Sequence, residues 1–263
     1  MGGLLGLHEA NGEDCEQLLR RTVHSGSVGS TSQDCEVSTL VSAARRFAID
    51  TPFRYHGWQD EPENLRGLLL SEASDGNLQQ YLEANHDILP LPTKKKWCRQ
   101  AVESVSHIHR HGVIHSDLRP ENYLVHATTP TSLDLWLCDF GGSTCEKLGV
   151  DGKQLPDPGF FDPNADWVAT TAIDLFSVGS VLYSIVSGHW PHRDPGPFKS
   201  AEDCLSYDEL VEDHFRNRKY PDVNGIFGGS IILGCWTGNY SSADDVLQAL
   251  EQEIEICATV DSE

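Results

Sequence analysis

The stretch "AIDLFSVGSVLYSIVSG", residues 172 to 188, constrains the fold more than any other part of this chain. Its apolar positions run round every face of a helix instead of forming one stripe, and such a helix has to be covered on all sides. It contains Asp174 and several serines and falls short of the ~20 apolar residues that a membrane-spanning helix needs. The run therefore predicts a helix buried in a core. A chain of 263 residues with 39% hydrophobic content can supply that core, as one large domain or as two lobes.

Charge narrows the partners. Lys and Arg number 19 against 40 Asp and Glu, a formal charge of −21, which repels nucleic-acid backbones and anionic lipid and favours protein partners or substrates with basic segments. Eight cysteines, at 15, 35, 98, 138, 145, 204, 235 and 257, are scattered without a C-x-x-C pair. They predict reduced thiols in an intracellular, cytoplasmic setting, not a zinc ribbon or a disulfide framework. The start "MGGLLGLHEANGEDCEQ" lacks the basic flank and apolar run of a secretory signal, and no membrane anchor is expected.

Along the chain, residues 1 to 35 are polar and rich in Gly and Ser, with one candidate strand at "EQLLRRTV". Helical spacing follows in "EVSTLVSAARRFA", then two strand patterns, "PFRYHGW" and "LRGLLLSEA", separated by "QDEPEN". "DGNLQQYLEAN" predicts a short helix and "TKKKWCRQAVESVSHIHRHG" a longer one stopped by Gly112. "NYLVHA" and "LDLWLCDF" form a hairpin pattern around "TTPTS", and the signals beyond Pro191 are helical again, with Ser242 and Asp245 as the start of a last helix.

Chemistry concentrates in "HSDLRPENYLV", residues 115 to 125. A short loop before a hairpin holds Asp117 and Asn122 five residues apart, and the hairpin returns the chain to Asp139 in "CDFGGS". Asn122 and Asp139 offer hard oxygen ligands suited to Mg²⁺ together with phosphate oxygens and water. Asp117 is left to orient a hydroxyl and accept its proton, and Arg119 to neutralise charge on a transferring phosphoryl group. Gly141 and Gly142 give the metal-bearing segment room to bend. His107, His109, His111 and His115 lie near one another in sequence, but only His107 and His111 have i, i+4 spacing, so a histidine metal cluster is the weaker reading.

These residues resemble the protein-kinase family. "HSDLRPEN" is similar to its catalytic loop H-R-D-L-K-P-E-N and "CDFGG" to its metal-binding D-F-G. "GLLLSEASDGNLQQYL" resembles the hinge and the helix after it, "AIDLFSVGSVLYSIVSGHWP" the D-x-W-S-x-G helix, and "GCWTGNYSSADDVLQAL" the final helical region, so the likeness runs in order over about residues 36 to 250. It implies an α+β, bilobal protein-kinase-like fold with a small partial β-rich N-lobe and a mainly helical C-lobe. The division is a poorly determined segment 1–35, a partial N-lobe and hinge 36–76, a C-lobe 77–255 and a tail 256–263. It implies ATP and Mg²⁺ as cofactors, Asp117 as catalytic base, Arg119 in place of the family's phosphate-facing lysine, and Asn122 and Asp139 as magnesium ligands. Ser71 as gatekeeper, Glu72 and Ser74 at the adenine, Asn77 near the ribose, and Leu124 complete the nucleotide-binding positions. Asp174 matches the buried aspartate that braces the catalytic loop.

Four departures qualify the likeness. Ser116 stands where the family often has the arginine that pairs with a phosphate on the activation segment, so phosphorylation of Ser143 or Thr144 is not expected to be the on-switch. No lysine precedes Lys94, so the strand lysine that holds the α and β phosphates is missing, with only Arg20 and Arg21 ahead of Glu36, its expected partner. No glycine-rich phosphate loop is found either, "GSVGS" reading as a linker, so the N-lobe is truncated or degenerate. "FFDPNAD" keeps Pro163 of A-P-E but loses its glutamate, and no arginine partner stands near Cys235 and Trp236, which predicts a less rigid substrate platform. The leading reading is a Ser/Thr-type protein kinase. A pseudokinase acting as a binding or scaffold module is the rival, and a small-molecule phosphotransferase sharing H-x-D-x-x-x-x-N is a third.

Overall fold

The computed structural model describes residues 55–59 and 67–260, residue 167 excepted. It divides into two compact units, Met1–Glu72 with Leu148–Val150, and Ala73–Lys147 with Asp151–Glu263. In the first unit β1 (Tyr55–Gln59) and β2 (Gly67–Leu70) pair antiparallel, from Tyr55 opposite Leu70 to Gln59 opposite Gly67, with a bulge between Tyr55 and Gly57. These are the two strands expected from the sequence. The strand expected at 16–23 and the helix at 36–48 lie outside the described residues, as do Arg20, Arg21 and Glu36.

The second unit is mainly helical. α1 (Leu78–Asn85) starts where the Asn77 side chain accepts from the Gln80 nitrogen at 2.9 Å, satisfying one of the free amides of the first turn. α2 (Leu91–Arg110) begins two residues earlier than its sequence pattern suggested, because Pro92 fits the first turn of a helix at no hydrogen-bond cost. It ends at Gly112, whose φ of 78° lets its nitrogen reach the His109 carbonyl at 2.9 Å. β3 (Tyr123–Thr129) and β4 (Ser132–Leu137) form the expected hairpin, with Tyr123 opposite Leu137. The two-residue strands β5 (Thr144–Cys145) and β6 (Val150–Asp151) follow.

α3 (Thr171–Ser187) is the helix predicted from the apolar run, and every residue from Ile173 to Ile185 is buried. Its serines are tolerated because each hydroxyl has a partner: Ser177 donates to the Ile173 carbonyl at 3.0 Å, Ser184 to the Ser180 carbonyl at 2.8 Å, and Ser180 accepts from Trp236 Nε1 at 2.9 Å. The α-helices that follow it are α4 (Ala201–Arg216), whose Phe215 meets Phe176 of α3 edge-on at 5.1 Å, α5 (Gly229–Trp236) and α6 (Ala243–Val260). α3 packs on α2 and α5, α6 on α2, and α2 on β4, where Trp97 Nε1 donates to the Leu133 carbonyl at 3.1 Å. The short ribbons and the surrounding helices make this an α+β fold. Among the described residues no helix is long and apolar enough to cross a membrane.

Candidate active site

The site is built outward from Asp174, in the first turn of α3 and fully buried. Its Oδ2 accepts from the His115 backbone nitrogen at 2.8 Å and meets His109 Nε2 at 2.8 Å, while Oδ1 accepts from the Ser116 nitrogen at 2.9 Å. One carboxylate thus joins the end of α2 to the loop that follows it. A buried carboxylate is costly unless its oxygens are satisfied, and here three donors converge on it. The bracing expected of Asp174 is visible in these bonds.

Ser116 itself takes a φ of 65°, the left-handed region, and is fully buried. Among the described residues its hydroxyl has no hydrogen-bond partner. His115 beside it is equally buried and its Nε2 lies 3.0 Å from the Cys138 carbonyl, so that nitrogen carries the proton. Burial pushes the imidazole below its ordinary pKa despite nearby Asp174, and the ring is neutral near pH 7.

Beyond this turn the loop presents Asp117. Asn122 Nδ2 donates to the Asp117 carbonyl at 2.7 Å and to its Oδ2 at 3.0 Å, which leaves the Asn122 amide oxygen as the free acceptor end. The Cys138 nitrogen donates to the Asn122 carbonyl at 2.9 Å, so Asp139, the next residue, emerges beside the same loop. Asp139 is exposed, left-handed at φ 58°, and among the described residues accepts only the Gly141 nitrogen, at 3.3 Å. An exposed carboxylate and an oriented amide oxygen are a hard donor pair of the kind that Mg²⁺ takes.

Burial raises the Asp117 carboxyl above its ordinary pKa, partly offset by Arg119 and by the Asn122 hydrogen bond. Arg119 Nε lies 3.7 Å from Asp117 Oδ1, and its other end forms an ion pair with Asp157. Asp157 was not among the expected site residues. It lies 38 positions from Arg119 in a proline-rich loop, and no local spacing announces it. Arg119 therefore sits between two carboxylates, committed to both.

The residues expected at the nucleotide belong to both units. Ser71 is half-buried and Glu72 exposed in the first. In the second, residues 75–77 lie antiparallel against β3: the Asp75 nitrogen donates to the Val125 carbonyl at 3.0 Å, the Val125 nitrogen to the Gly76 carbonyl at 2.8 Å, and Asn77 bridges Leu124. Ser74 joins them, its hydroxyl accepting from the Ala127 nitrogen at 2.8 Å. Ser74, Asn77 and Leu124 are thus brought together, with the Asn77 side-chain amide oxygen already engaged in capping α1.

The segment after Asp139 folds tightly. Ser143 is fully buried and donates to the His115 carbonyl at 3.2 Å, and its own carbonyl accepts from the Gly152 nitrogen at 3.1 Å. Thr144 bridges Ile114 and reaches Asp151 at 3.3 Å. Of the histidines, His109 meets Asp174 and His115 the Cys138 carbonyl, while His111 Nδ1 meets the His107 carbonyl at 2.8 Å and the His107 and His111 rings lie 4.6 Å apart.

A family model, the protein kinase domain, matches residues 41–224. The chain belongs to that family. Among curated relatives, the serine/threonine-protein kinase ssp1 of Schizosaccharomyces pombe is 21% identical over 75% of this chain and 31% of its own length. The calcium/calmodulin-dependent protein kinase type 1 of Macrobrachium nipponense is 27% identical over 60% of this chain and 50% of its own. The 3-phosphoinositide-dependent protein kinase 1 of Mus musculus is 25% identical over 70% of this chain and 33% of its own. The chain spans half or less of the length of each of these relatives. Within the kinase domain, the matched span contains Asp117, Asn122, Asp139 and Asp174.

Proposed function

We propose that this kinase domain binds ATP with Mg²⁺ and transfers the γ-phosphate to serine or threonine hydroxyls of proteins, with basic segments favoured by the acidic chain. The observation that supports this reading most is the double hydrogen bond from Asn122 to Asp117, at 2.7 and 3.0 Å. It fixes the carboxylate's direction and leaves the amide oxygen of Asn122 out of that pair, in the loop beside which Asp139 emerges. Asp117 then accepts the hydroxyl proton of the substrate. Arg119 holds positive charge beside it, and Asn122 and Asp139 hold Mg²⁺, which when bound neutralises phosphate charge. Ser74, Asn77 and Leu124 line the nucleotide side in the second unit, and the gatekeeper role of Ser71 and the adenine role of Glu72 rest on the family resemblance alone. Free thiols at Cys98, Cys138, Cys145, Cys204, Cys235 and Cys257 support an intracellular, cytoplasmic setting.

The pseudokinase reading draws on the sequence, in which no lysine precedes Lys94 and no glycine-rich phosphate loop is found. One experiment separates the two: thermal shift with Mg-ATP on the native protein and Asp139→Asn, beside phosphate transfer to a basic protein by the native protein and Asp117→Ala. A shift that needs Mg²⁺ and Asp139, with transfer lost in Asp117→Ala, supports catalysis. Absence of both shift and transfer sinks it in favour of a binding module.

A further inference from the structure

The segment 157–166 runs from the residue that pairs with Arg119 toward the start of α3, and it contains neither helix nor strand. Its first half is fixed by burial: Phe160 is fully buried, its carbonyl accepts from the Ser177 hydroxyl on α3, and its ring meets Trp190 edge-on at 5.1 Å. The second half is polar and partly exposed, so its place depends on side-chain anchors.

Two anchors reach the end of α4. Asn164 Nδ2, which meets Asp162 Oδ1 at 3.1 Å, also reaches the Phe215 and Arg216 carbonyls at the end of α4, both at 3.3 Å. Arg218 donates to Asp162 Oδ2 at 2.8 Å and to the Tyr220 hydroxyl at 3.2 Å. Tyr220 in turn donates to the Trp236 carbonyl at 3.0 Å and stacks on the Trp236 ring at 5.7 Å and 10°. The chain from Asp162 therefore leads through Arg218 to α5.

Arg218 stands at φ 56°, in a turn closed by its own nitrogen on the Phe215 carbonyl at 3.0 Å and by the Lys219 nitrogen on the His214 carbonyl at 2.8 Å. Glycine makes such a turn without steric penalty, and an arginine does not. Backbone geometry gives no reason for arginine here, and the side chain does.

We propose that Arg218 is a positioning residue: its ion pair with Asp162 fixes the second half of the segment, 162–166, on the end of α4. The sequence has Asn164 where the family's glutamate is expected after Pro163, and Asp162 with Arg218 forms an ion pair in that neighbourhood by another route. A lone pair of this exposure holds little. Joined to the Asn164 anchors and the Tyr220–Trp236 stack, it acts as part of a network. The substrate platform is held, where loss of the glutamate had suggested a looser one. The functional consequence rests on the reading of the domain as a protein phosphotransferase.

Hydrogen–deuterium exchange on the whole chain tests it, with Arg218→Gly, Asp162→Asn and the exchanged pair Asp162→Arg/Arg218→Asp. Arg218→Gly suits the turn and keeps the fold, so the expected result is exchange of amides in 162–166 about tenfold faster, with α3 unchanged. Asp162→Asn gives the same pattern, and the exchanged pair recovers part of the protection. In a phosphotransfer assay the KM for a basic protein substrate rises several-fold in Arg218→Gly, with kcat and the KM for ATP little changed. Unaltered or slower exchange in Arg218→Gly would mean that Arg218 is only a turn residue, and loss of protection spreading equally to α3 would remove the case for a local clamp. Either result overturns the proposal. If the native protein transfers no phosphate, the functional reading fails and the exchange comparison alone decides the clamp.

Discussion

Asp174 Oδ1 lies 2.9 Å from the backbone nitrogen of Ser116, a fully buried residue held at φ 65°. Non-glycine residues persist in that region only where their surroundings over-determine them, and the buried carboxylate is what does so here. The turn at Ser116 directs the next residue, Asp117, toward Asn122. Structure and site thus share one element, the first turn of α3.

Two substitutions separate the bond from the strain. Asp174→Asn turns one acceptor into an amide that faces N–H donors, and is expected to cost about 2–4 kcal/mol, seen as a melting temperature lower by about 5–10 °C. Ser116→Gly removes both the strain and the unpartnered hydroxyl and is expected to stabilise by about 1 kcal/mol. A Ser116→Gly protein that melts lower than the native one would show that the serine hydroxyl matters to the turn.

Ser143 is fully buried with its hydroxyl on the His115 carbonyl, so phosphorylation there requires the segment to open. Ser143→Ala is expected to retain phosphate transfer within about threefold, the loss of one neutral hydrogen bond. Ser143→Glu places an uncompensated charge in that site and is expected to destabilise by about 3 kcal/mol or more. Phosphatase treatment should leave activity unchanged. Many-fold activation on phosphorylation of Ser143 or Thr144 would overturn this expectation.

What the sequence disclosed follows from where the information sits. α3 was legible because its apolar residues fill every face, and the hairpin β3–β4 because "TTPTS" punctuates two β-rich runs. Asp117, Asn122 and Asp139 were legible because they lie within one loop and one hairpin. The Arg119–Asp157 and Asp162–Arg218 pairs join residues far apart in sequence, and nothing local marks either partner. The left-handed turn at Ser116 was equally hidden, because its cause is a hydrogen bond to a helix 58 residues away.

The pH dependence of stability has a definite sign. His86, His115 and His192 all lie below the ordinary histidine value of 6.5, each first through burial. As pH falls through 6.5 the unfolded chain takes these protons before the folded one does, so protonation favours unfolding. Their stabilising contribution is complete above pH 6.5 and is lost as pH falls toward their lower folded values. Asp117, Glu121 and Asp208, raised chiefly by burial, oppose this at lower pH, where the folded state keeps protons better than carboxyls of ordinary value 3.8 or 4.5. Melting temperature is therefore expected to fall between about pH 7.5 and about pH 5.5. His192→Asn, at a φ of 58° that asparagine tolerates, should make the fall smaller. Equal melting temperatures at the two pH values would refute the linkage.

Gly179 sets helix propensity against packing. In the middle of α3, alanine is about 1 kcal/mol the better helix former, and a prediction from propensity alone has Gly179→Ala stabilise the protein. A Cβ at Gly179, however, falls 2.8 Å from Cys235 Cβ and 3.1 Å from Trp236 Cδ1 on α5. The first is closer than carbon atoms approach, and neither neighbour has room to yield, because Cys235 and Trp236 are themselves buried and Trp236 Nε1 is tied to Ser180. Forcing the helices apart also loosens the Trp236 ring on which Tyr220 stacks. Gly179→Ala is expected to destabilise by about 1–3 kcal/mol, the usual cost of overpacking a core, measured by urea denaturation. A gain in stability would mean that α3 and α5 are less closely packed than described, and that the glycine serves the backbone alone.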